Sequence, residues 1–313
     1  MKKIMIGINI MSLLQLMLLP GCFIPSRYLM RKNIFIVQPR EKPTTFSLTN
    51  NHTITIWLHG TRLFSRPLYN RHFQCQPGLT LARTIDTHYK LYTIAHTLVD
   101  ADPQRFHHDN FYIFGWSGKL CFLEREYAAD KLYISLLQLI QNYKAIHGIK
   151  PKIRIIAHSH GGNVALNLAN LAKNEDELNI TELILMACPV QGKTKHLAQH
   201  PMFEKIYVLY SALDLIQILD PQGMYKHKGK SCGLFSKRQF FHQPNLAQMK
   251  VKINRRAIMH SEFSHPQFLR LLPRILDEID AWNKNIIYNE DPNKICKLLC
   301  VYTDRTPIKK MQH

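Results

Sequence analysis

The sequence of 313 residues is poor in acidic side chains, and beyond its first 19 residues it has no long apolar run. It contains 22 Asp and Glu against 41 Lys and Arg, which gives a formal net charge of +19. Because a membrane-spanning helix needs about 20 apolar residues, no later segment is predicted to cross a bilayer. Internal repeats and low-complexity tracts are also absent, which excludes a solenoid, and an apolar content of 46% does not indicate disorder.

Cysteine is scarce and scattered along the chain. Seven cysteines occur, and the six after Cys22 have no paired spacing of the zinc-binding kind: Cys75, Cys121, Cys188, Cys232, Cys296 and Cys300. Cys188 follows a short apolar run and is predicted to be a buried thiol at the end of a strand. Nothing in this pattern indicates a metal or an organic cofactor.

The first 22 residues have the order of an export signal. Two lysines at positions 2 and 3 precede an uncharged apolar run over residues 4–19, and Gly21 precedes Cys22. This order is typical of a signal peptide that is removed from the mature protein. With Leu19 three positions before Cys22, the segment resembles the bacterial lipoprotein signal, which implies lipidation of Cys22 and anchoring in the cell envelope. An uncleaved N-terminal anchor and simple secretion are the alternatives.

The excess of positive charge indicates a negatively charged binding partner. The basic residues are spread along the chain and form no DNA- or RNA-binding motif, so nucleic acid is not a predicted partner. Attraction to an anionic surface, either a lipid membrane or a polysaccharide, is the more economical explanation. The densest basic stretch, residues 225–241, also contains Phe240 and Phe241 and lies in a variable loop over residues 218–248. It is either a solvated loop or a membrane contact.

Residues 152–166, KIRIIAHSHGGNVAL, place one serine between a predicted strand and a predicted helix. The β-branched run before it indicates a buried strand, and the residues after Gly162 are good helix formers. Ser159 lies at the turn, with the small residues Ala157 and Gly161 two positions away on either side. Such a sharp turn exposes the serine hydroxyl above the sheet and directs the next N–H at the substrate oxygen.

This segment resembles the nucleophile elbow of the α/β-hydrolase family, in its lipase and esterase branch, which often has a histidine where His158 stands. The resemblance covers roughly residues 53–276. It implies a single domain of the α/β class, with a mostly parallel central sheet flanked by helices. It also implies Ser159 as the nucleophile of a Ser-His-Asp triad, in the chain order serine, acid, histidine. The alternative is a chance match on an ordinary turn between a strand and a helix.

The acid and the base are expected after later strands. Asp214 follows a predicted strand over residues 205–210, where the resemblance places the triad carboxylate; Asp220, followed by a proline, is the competing candidate. His260 lies just beyond a predicted last strand, which is the position of the family's histidine. His265 is the alternative base. The carboxylate would fix the histidine tautomer and stabilise the imidazolium.

A second oxyanion donor is expected after an earlier strand. Residues 53–58 alternate as a strand does and run into a His-Gly pair, which resembles the oxyanion loop of the family. Gly60 would let the backbone approach the substrate. The N–H groups of Thr61 and His160 are therefore the predicted oxyanion donors, and a plain turn is the alternative reading.

A second serine, Ser117, lies in a Gly-x-Ser-Gly sequence at the end of another predicted strand. No helix begins directly after it, so Ser117 is predicted to belong to a loop near the pocket and not to attack a substrate. The next helix is predicted over about residues 124–146, with its apolar stripe on Leu123, Ala128, Leu132, Leu136 and Ile140.

The chain is thus predicted to contain a signal peptide (1–21), a tether (22–49), a hydrolase domain (50–284) and a tail (285–313). The tether includes a candidate first strand at residues 34–37. The closing helix is expected over residues 266–281, with a kink at Pro273. The resemblance implies cleavage of carboxylic esters through an acyl-enzyme, without a metal or organic cofactor. The membrane tether favours lipid or lipophilic esters as substrates. The alternatives are a thioesterase, amidase or peptidase on the same triad, and a non-catalytic surface lipoprotein.

Overall fold

The structure, a computed structural model, describes residues 34–37, 52–61, 75–172, 178–218, 220, 222, 239–241, 243–285 and 297–301. Within these residues ten strands form one sheet. The strands are β1 (Ile34–Val37), β2 (Thr53–Leu58), β3 (Gly78–Leu81), β4 (Phe111–Gly115), β5 (Lys152–His158), β6 (Glu182–Met186), β7 (Ile206–Tyr210), β8 (Leu246–Ile253), β9 (Arg256–Ala257) and β10 (Lys297–Val301).

The sheet is mostly parallel. Its strand order is β1-β10-β8-β7-β6-β5-β2-β4-β3, and β9 pairs with β8 beside this path. Among the described pairs only β3 with β4 and β9 with β8 are antiparallel. Because parallel strands need crossover connections, the loops after β2, β4, β5, β6, β7 and β8 gather at one edge of the sheet.

The described helices are α1 (Lys90–Ala101), α2 (Phe122–His147), α3 (Gly161–Asn167), α4 (Leu215–Ile218), α5 (Pro266–Leu269) and α6 (Leu272–Asn285). They cover both faces of the sheet. One core cluster joins α2 and α3 to Ile153 and Ile155 of β5, and the other joins α1, α5 and α6 to Ile156 on the opposite face. The predicted α/β class, with a mostly parallel sheet flanked by helices, is confirmed.

The apolar run that precedes the serine is central in this arrangement. β5 lies between β2 and β6, and its side chains from Ile153 to Ala157 are buried. Apart from Arg154, whose side chain is also buried, this run is apolar, as expected of a strand that helices cover on both faces. β2 is likewise buried along its whole length.

Two boundaries differ from the sequence prediction. The expected tail (285–313) contributes β10, which pairs with β8 and with β1. The sheet therefore includes residues after position 284 and residues before position 50. A five-residue strand among lysines is too short to stand out by periodicity, although Val301 is fully buried. The closing helix is broken between α5 and α6, before Pro273, which lies in the first turn of α6 where proline is tolerated.

Several sequence predictions fall outside the described residues. These are the signal peptide (1–21), Cys22, most of the tether and residues 225–238 of the basic segment. Within that segment Phe240 is buried in the core, whereas Phe241 is exposed and lies under the ammonium group of Lys195. Among the residues that the structure describes, no helix is long and apolar enough to cross a membrane.

Candidate active site

Ser159 lies in a tight reversal of the backbone between β5 and α3. Its φ is +55°, in the left-handed region that costs a non-glycine residue on the order of 1–3 kcal/mol. The surrounding hydrogen bonds hold it there: its N–H donates to the carbonyl of Met186 at 2.9 Å, and its own carbonyl accepts from Gly162 N–H at 3.0 Å. The reversal therefore has the geometry of a nucleophile elbow.

Two glycines let this elbow touch the loop that follows β2. A Cβ on Gly161 would lie 2.6 Å from the carbonyl oxygen of His59, and a Cβ on Gly60 would lie 2.6 Å from the Cβ of Ser159. Real Cβ atoms do not approach other atoms so closely, so both positions need glycine. The loop with the predicted oxyanion donor Thr61 is thereby brought directly against the serine.

The ring of His59 is fastened to the loop after β4. Trp116 stacks on it with ring centroids 5.6 Å apart, and the indole N–H donates to the His59 carbonyl at 2.8 Å. The backbone N–H of Trp116 donates to His59 Nε2 at 3.4 Å, so Nδ1 holds the proton and donates to the Gly60 carbonyl at 2.8 Å. These bonds fix the backbone of His59 and Gly60, which directly precede Thr61. The Thr61 hydroxyl is buried and has no hydrogen-bond partner among the described residues.

The structure brings His260 and Asp214 together. Nδ1 of His260 lies 2.9 Å from both carboxylate oxygens of Asp214. The Asp214 side chain is fully buried, and its Oδ1 also accepts from the N–H of Gln217 at 3.1 Å. Because Nδ1 is engaged by an acceptor-only carboxylate, the neutral ring carries its free lone pair on Nε2. Nε2 is therefore the nitrogen that can accept a proton.

The segments that carry Asp214 and His260 are also joined through Ser211. Its hydroxyl oxygen accepts from the N–H of Ile258 at 3.1 Å and from the N–H of Leu213 at 3.4 Å. Ser211 is fully buried, so these bonds are shielded from water. They hold the turn before Asp214 against the strand that leads to His260.

His158, which the sequence singled out only by resemblance, links β5 to the base. Its Nε2 donates to the carbonyl of His260 at 3.0 Å, and the two rings have centroids 4.8 Å apart. Burial, and next the neighbouring His260, lower the pKa of His158 to about 3. His158 is therefore neutral at ordinary pH, with the proton on the nitrogen that faces the carbonyl.

The competing acid, Asp220, lies in a different place. Its Oδ2 accepts from Gln191 Nε2 at 2.9 Å, and its Oδ1 lies 3.9 Å from Nε2 of His160. The same cluster contains Arg125, which is fully buried and was not anticipated. Arg125 stands three residues before Ala128 and so belongs to the buried stripe of α2 by helical spacing. Leu123, which was expected in that stripe, is instead 72% exposed.

The two remaining candidates lie outside this constellation. His265 is exposed and precedes α5, with its backbone carbonyl accepting from Phe268 N–H and Leu269 N–H at 3.0 Å each. Ser117 is exposed in the loop after β4, and its hydroxyl accepts from the N–H of Lys119 at 3.3 Å. Neither has a hydrogen bond to His260 or Asp214 among the contacts of the described residues.

Comparison with known proteins finds similarity among solved structures and not among protein sequences. No protein-family model matches the sequence, and no curated protein sequence matches it. A crystal structure of an alpha/beta hydrolase superfamily protein from Enterococcus faecalis is similar, with a TM-score of 0.33 and 8% sequence identity. The similarity covers 77% of this chain and 93% of that chain. The activity of this chain has to be inferred from the geometry of its own site.

The lowered pKa of His158 makes stability depend on pH. The unfolded chain takes up a proton at this side chain near pH 6.5, whereas the folded chain does so only near pH 3. Stability present above pH 6.5 is therefore lost progressively as the pH falls toward 3. Between about pH 6.5 and pH 5, we expect wild type to lose roughly 2 kcal/mol of unfolding free energy relative to His158→Gln.

Urea unfolding at the two pH values measures this difference. The matched control is His265→Gln, which removes an exposed histidine and should leave the pH dependence of wild type unchanged. Parallel pH dependence in wild type and His158→Gln would show that His158 is protonated as easily in the folded state as in the unfolded state.

Proposed function

We propose that the chain is a serine hydrolase of the α/β-hydrolase type that cleaves carboxylic esters. The observation that carries this proposal is the buried pair of Asp214 and His260, bonded at 2.9 Å, on the sheet edge where Ser159 occupies a strained elbow. The strand order supports it as well, because the serine, the acid and the histidine follow β5, β7 and the β8–β9 hairpin in turn. A strained backbone that surrounding bonds preserve is typical of a functional site.

In the proposed mechanism His260 acts first as a base. Its Nε2 takes the proton of the Ser159 hydroxyl while the oxygen attacks the ester carbonyl carbon, and the carbonyl π electrons move to the oxygen. The tetrahedral intermediate collapses when its bond to the alcohol oxygen breaks, and His260 returns the proton to the leaving alcohol. Water, deprotonated by His260, then cleaves the acyl-enzyme, and Ser159 recovers its proton.

The remaining residues of the site stabilise charge during these steps. The N–H groups of His160 and Thr61 are the proposed donors to the oxyanion, each worth on the order of 3 kcal/mol in such sites. Asp214 balances the positive charge that His260 acquires, and its full burial strengthens that attraction because the local dielectric is low.

Lipid or lipophilic esters are the proposed substrates. Large apolar side chains stand exposed next to the acid and the base: Leu213 is 51% exposed and Met259 is 56% exposed. Leu215 and Ile216, in α4, extend this exposed apolar surface on the other side of Asp214. The proposal is also supported by the lipoprotein-type sequence around Cys22, which would hold the mature enzyme at the membrane of the cell envelope.

A fluorophosphonate should modify Ser159 and no other serine in the folded protein, because Ser159 occupies the strained elbow at the sheet edge where the pair of Asp214 and His260 lies. The label is located by peptide mass spectrometry. Ser159→Ala should abolish labelling, whereas Ser117→Ala, the matched change at the neighbouring Gly-x-Ser-Gly loop, should not affect it. Label on Ser117, or no label on any serine, would refute the proposal.

Replacing His260, the proposed base, should lower kcat far more than replacing the neighbouring His265. We expect His260→Ala to lower kcat for a short-chain ester by roughly three or more powers of ten, as removal of a triad member does. His265→Ala should change kcat little, because its side chain is exposed and lies apart from Asp214. Steady-state kinetics of both variants decide the assignment, and the opposite ranking would transfer the role of base to His265.

Lipidation of Cys22 has its own test. Metabolic labelling with a fatty-acid analogue should mark the wild-type protein in the membrane fraction, because the signal places that cysteine at the new N-terminus. Cys22→Ser should be unlabelled, and Cys75→Ser should be labelled as wild type is. A soluble and unlabelled wild-type protein would leave secretion as the remaining alternative.

A further inference from the structure

A buried arginine lies beside the proposed catalytic site and has no part in the mechanism above. Arg125 occupies the first turn of α2 and is fully buried. Its Nη2 donates to Gln222 Oε1 at 2.7 Å and to Gln191 Oε1 at 3.3 Å, and its guanidinium lies 4.8 Å from the ring centre of Phe122. Burial lowers the pKa of Arg125, and the negative charge of Asp220 opposes that effect.

Asp220 is the anion of this cluster. Besides its bond from Gln191, its Oδ1 accepts from the N–H of Gln222 at 3.0 Å, and only 4% of the residue is exposed. Gln222 in turn donates from Nε2 to the carbonyl of Leu120 at 3.1 Å. Arg125, Gln191, Asp220 and Gln222 thus form a buried polar cluster, which we call the Arg125 cluster. Its bonds to Arg125 are made by Nη2, and Nε and Nη1 of Arg125 have no hydrogen-bond partner among the described residues.

The Arg125 cluster joins four loops at the carboxyl edge of the sheet. Arg125 belongs to the connection after β4, Gln191 to the one after β6, and Asp220 to the segment after β7. The fourth is the elbow, since His160 lies 3.9 Å from Asp220 and follows Ser159 directly. The segment after β7 also contains Asp214, the proposed acid, six residues before Asp220.

Such a cluster is an inefficient way to gain stability. Removing two charges from water offsets most of their attraction, so apolar side chains of the same volume would serve the core equally well or better. A guanidinium instead supplies direction, because its donors lie in one plane at fixed angles. The expected benefit is therefore a fixed geometry for the loops that the cluster joins.

We propose that Arg125 is a positioning residue that fixes the segment after β7, and with it Asp214, relative to the elbow of Ser159. Arg125 acts through Gln222 and Gln191, which both bond to Asp220, and does not touch the substrate. This inference rests on the proposed function for its kinetic consequence, but the geometry it predicts at Asp214 and His260 can be measured without catalysis.

Arg125→Met tests the proposal, because methionine fills space but cannot hold the segment. We expect kcat for a soluble short-chain ester to fall by about 10²-fold, the usual effect of a displacement of about 1 Å in a catalytic group, with little change in KM. The low-field NMR signal of the proton between His260 Nδ1 and Asp214 should broaden or disappear. That signal is assigned by its loss in Asp214→Asn.

Arg154→Met is the matched control. Arg154 is also a buried arginine; its Nε lies 2.5 Å from Glu182, and 9% of its side chain is exposed. It lies near the amino end of β5, away from the elbow. The Arg154→Met variant should be less stable than wild type but should keep both the kcat and the low-field signal of wild type. Equal behaviour of Arg125→Met and Arg154→Met in kcat and in this signal would overturn the proposal.

Two milder variants decide the matter if Arg125→Met does not fold. Gln222→Leu removes the acceptor 2.7 Å from Arg125 without leaving a charge unpaired, and it should weaken the signal and kcat in the same direction. Arg125→Lys keeps the charge but loses the planar donors, so kcat should recover only in part. An unchanged signal and unchanged kcat in Gln222→Leu would overturn the proposal.

The two proposals can fail separately. If wild type shows no reaction with fluorophosphonates or esters, the proposed function fails, and the low-field signal alone then judges the role of Arg125. Loss of that signal in Arg125→Met with retention in Arg154→Met would support positioning without catalysis. An active wild type with identical signals in both variants would leave the hydrolase intact and reject the positioning role.

Discussion

The close contact between the Ser159 elbow and the loop after β2 is the constraint on which the rest of the site depends. Gly60 lies against Ser159, and Gly161 lies against the carbonyl of His59, at distances that no side chain would permit. The strained φ of Ser159 persists because β5 is held on both sides and the bond to Met186 continues the sheet into the turn. The free energy that this strain costs is supplied by the burial of the surrounding core.

From this contact outward, buried hydrogen bonds determine how the other loops are placed. His158 connects β5 to the carbonyl of His260, and Ser211 connects the segment of the acid to the strand before the base. Neither bond involves a reacting atom. They convert a set of loops, which would otherwise move independently, into one unit whose geometry the sheet controls. Such support is what a triad of residues from distant parts of a chain requires.

Charge is distributed unevenly between the interior and the surface. The whole sequence has a net charge of +19, whereas the described interior near the site contains hydrogen-bonded groups such as Asp214 with His260. The neutral His158 and the paired Asp220 follow the same rule, because an isolated charge in a low dielectric is costly. A net charge of this size bears on solubility and association kinetics and not on the fold.

The sequence by itself determined the α/β class, the buried strand before Ser159 and the helix after it, because each rests on local periodicity and small residues at a turn. It indicated Asp214 and His260 only by their position in the chain order, and it left Asp220 as an alternative acid and His265 as an alternative base. Tertiary structure alone decided which carboxylate meets which ring, that β10 completes the sheet, and that Arg125 is buried. These depend on contacts between residues far apart in the chain, which local patterns do not encode.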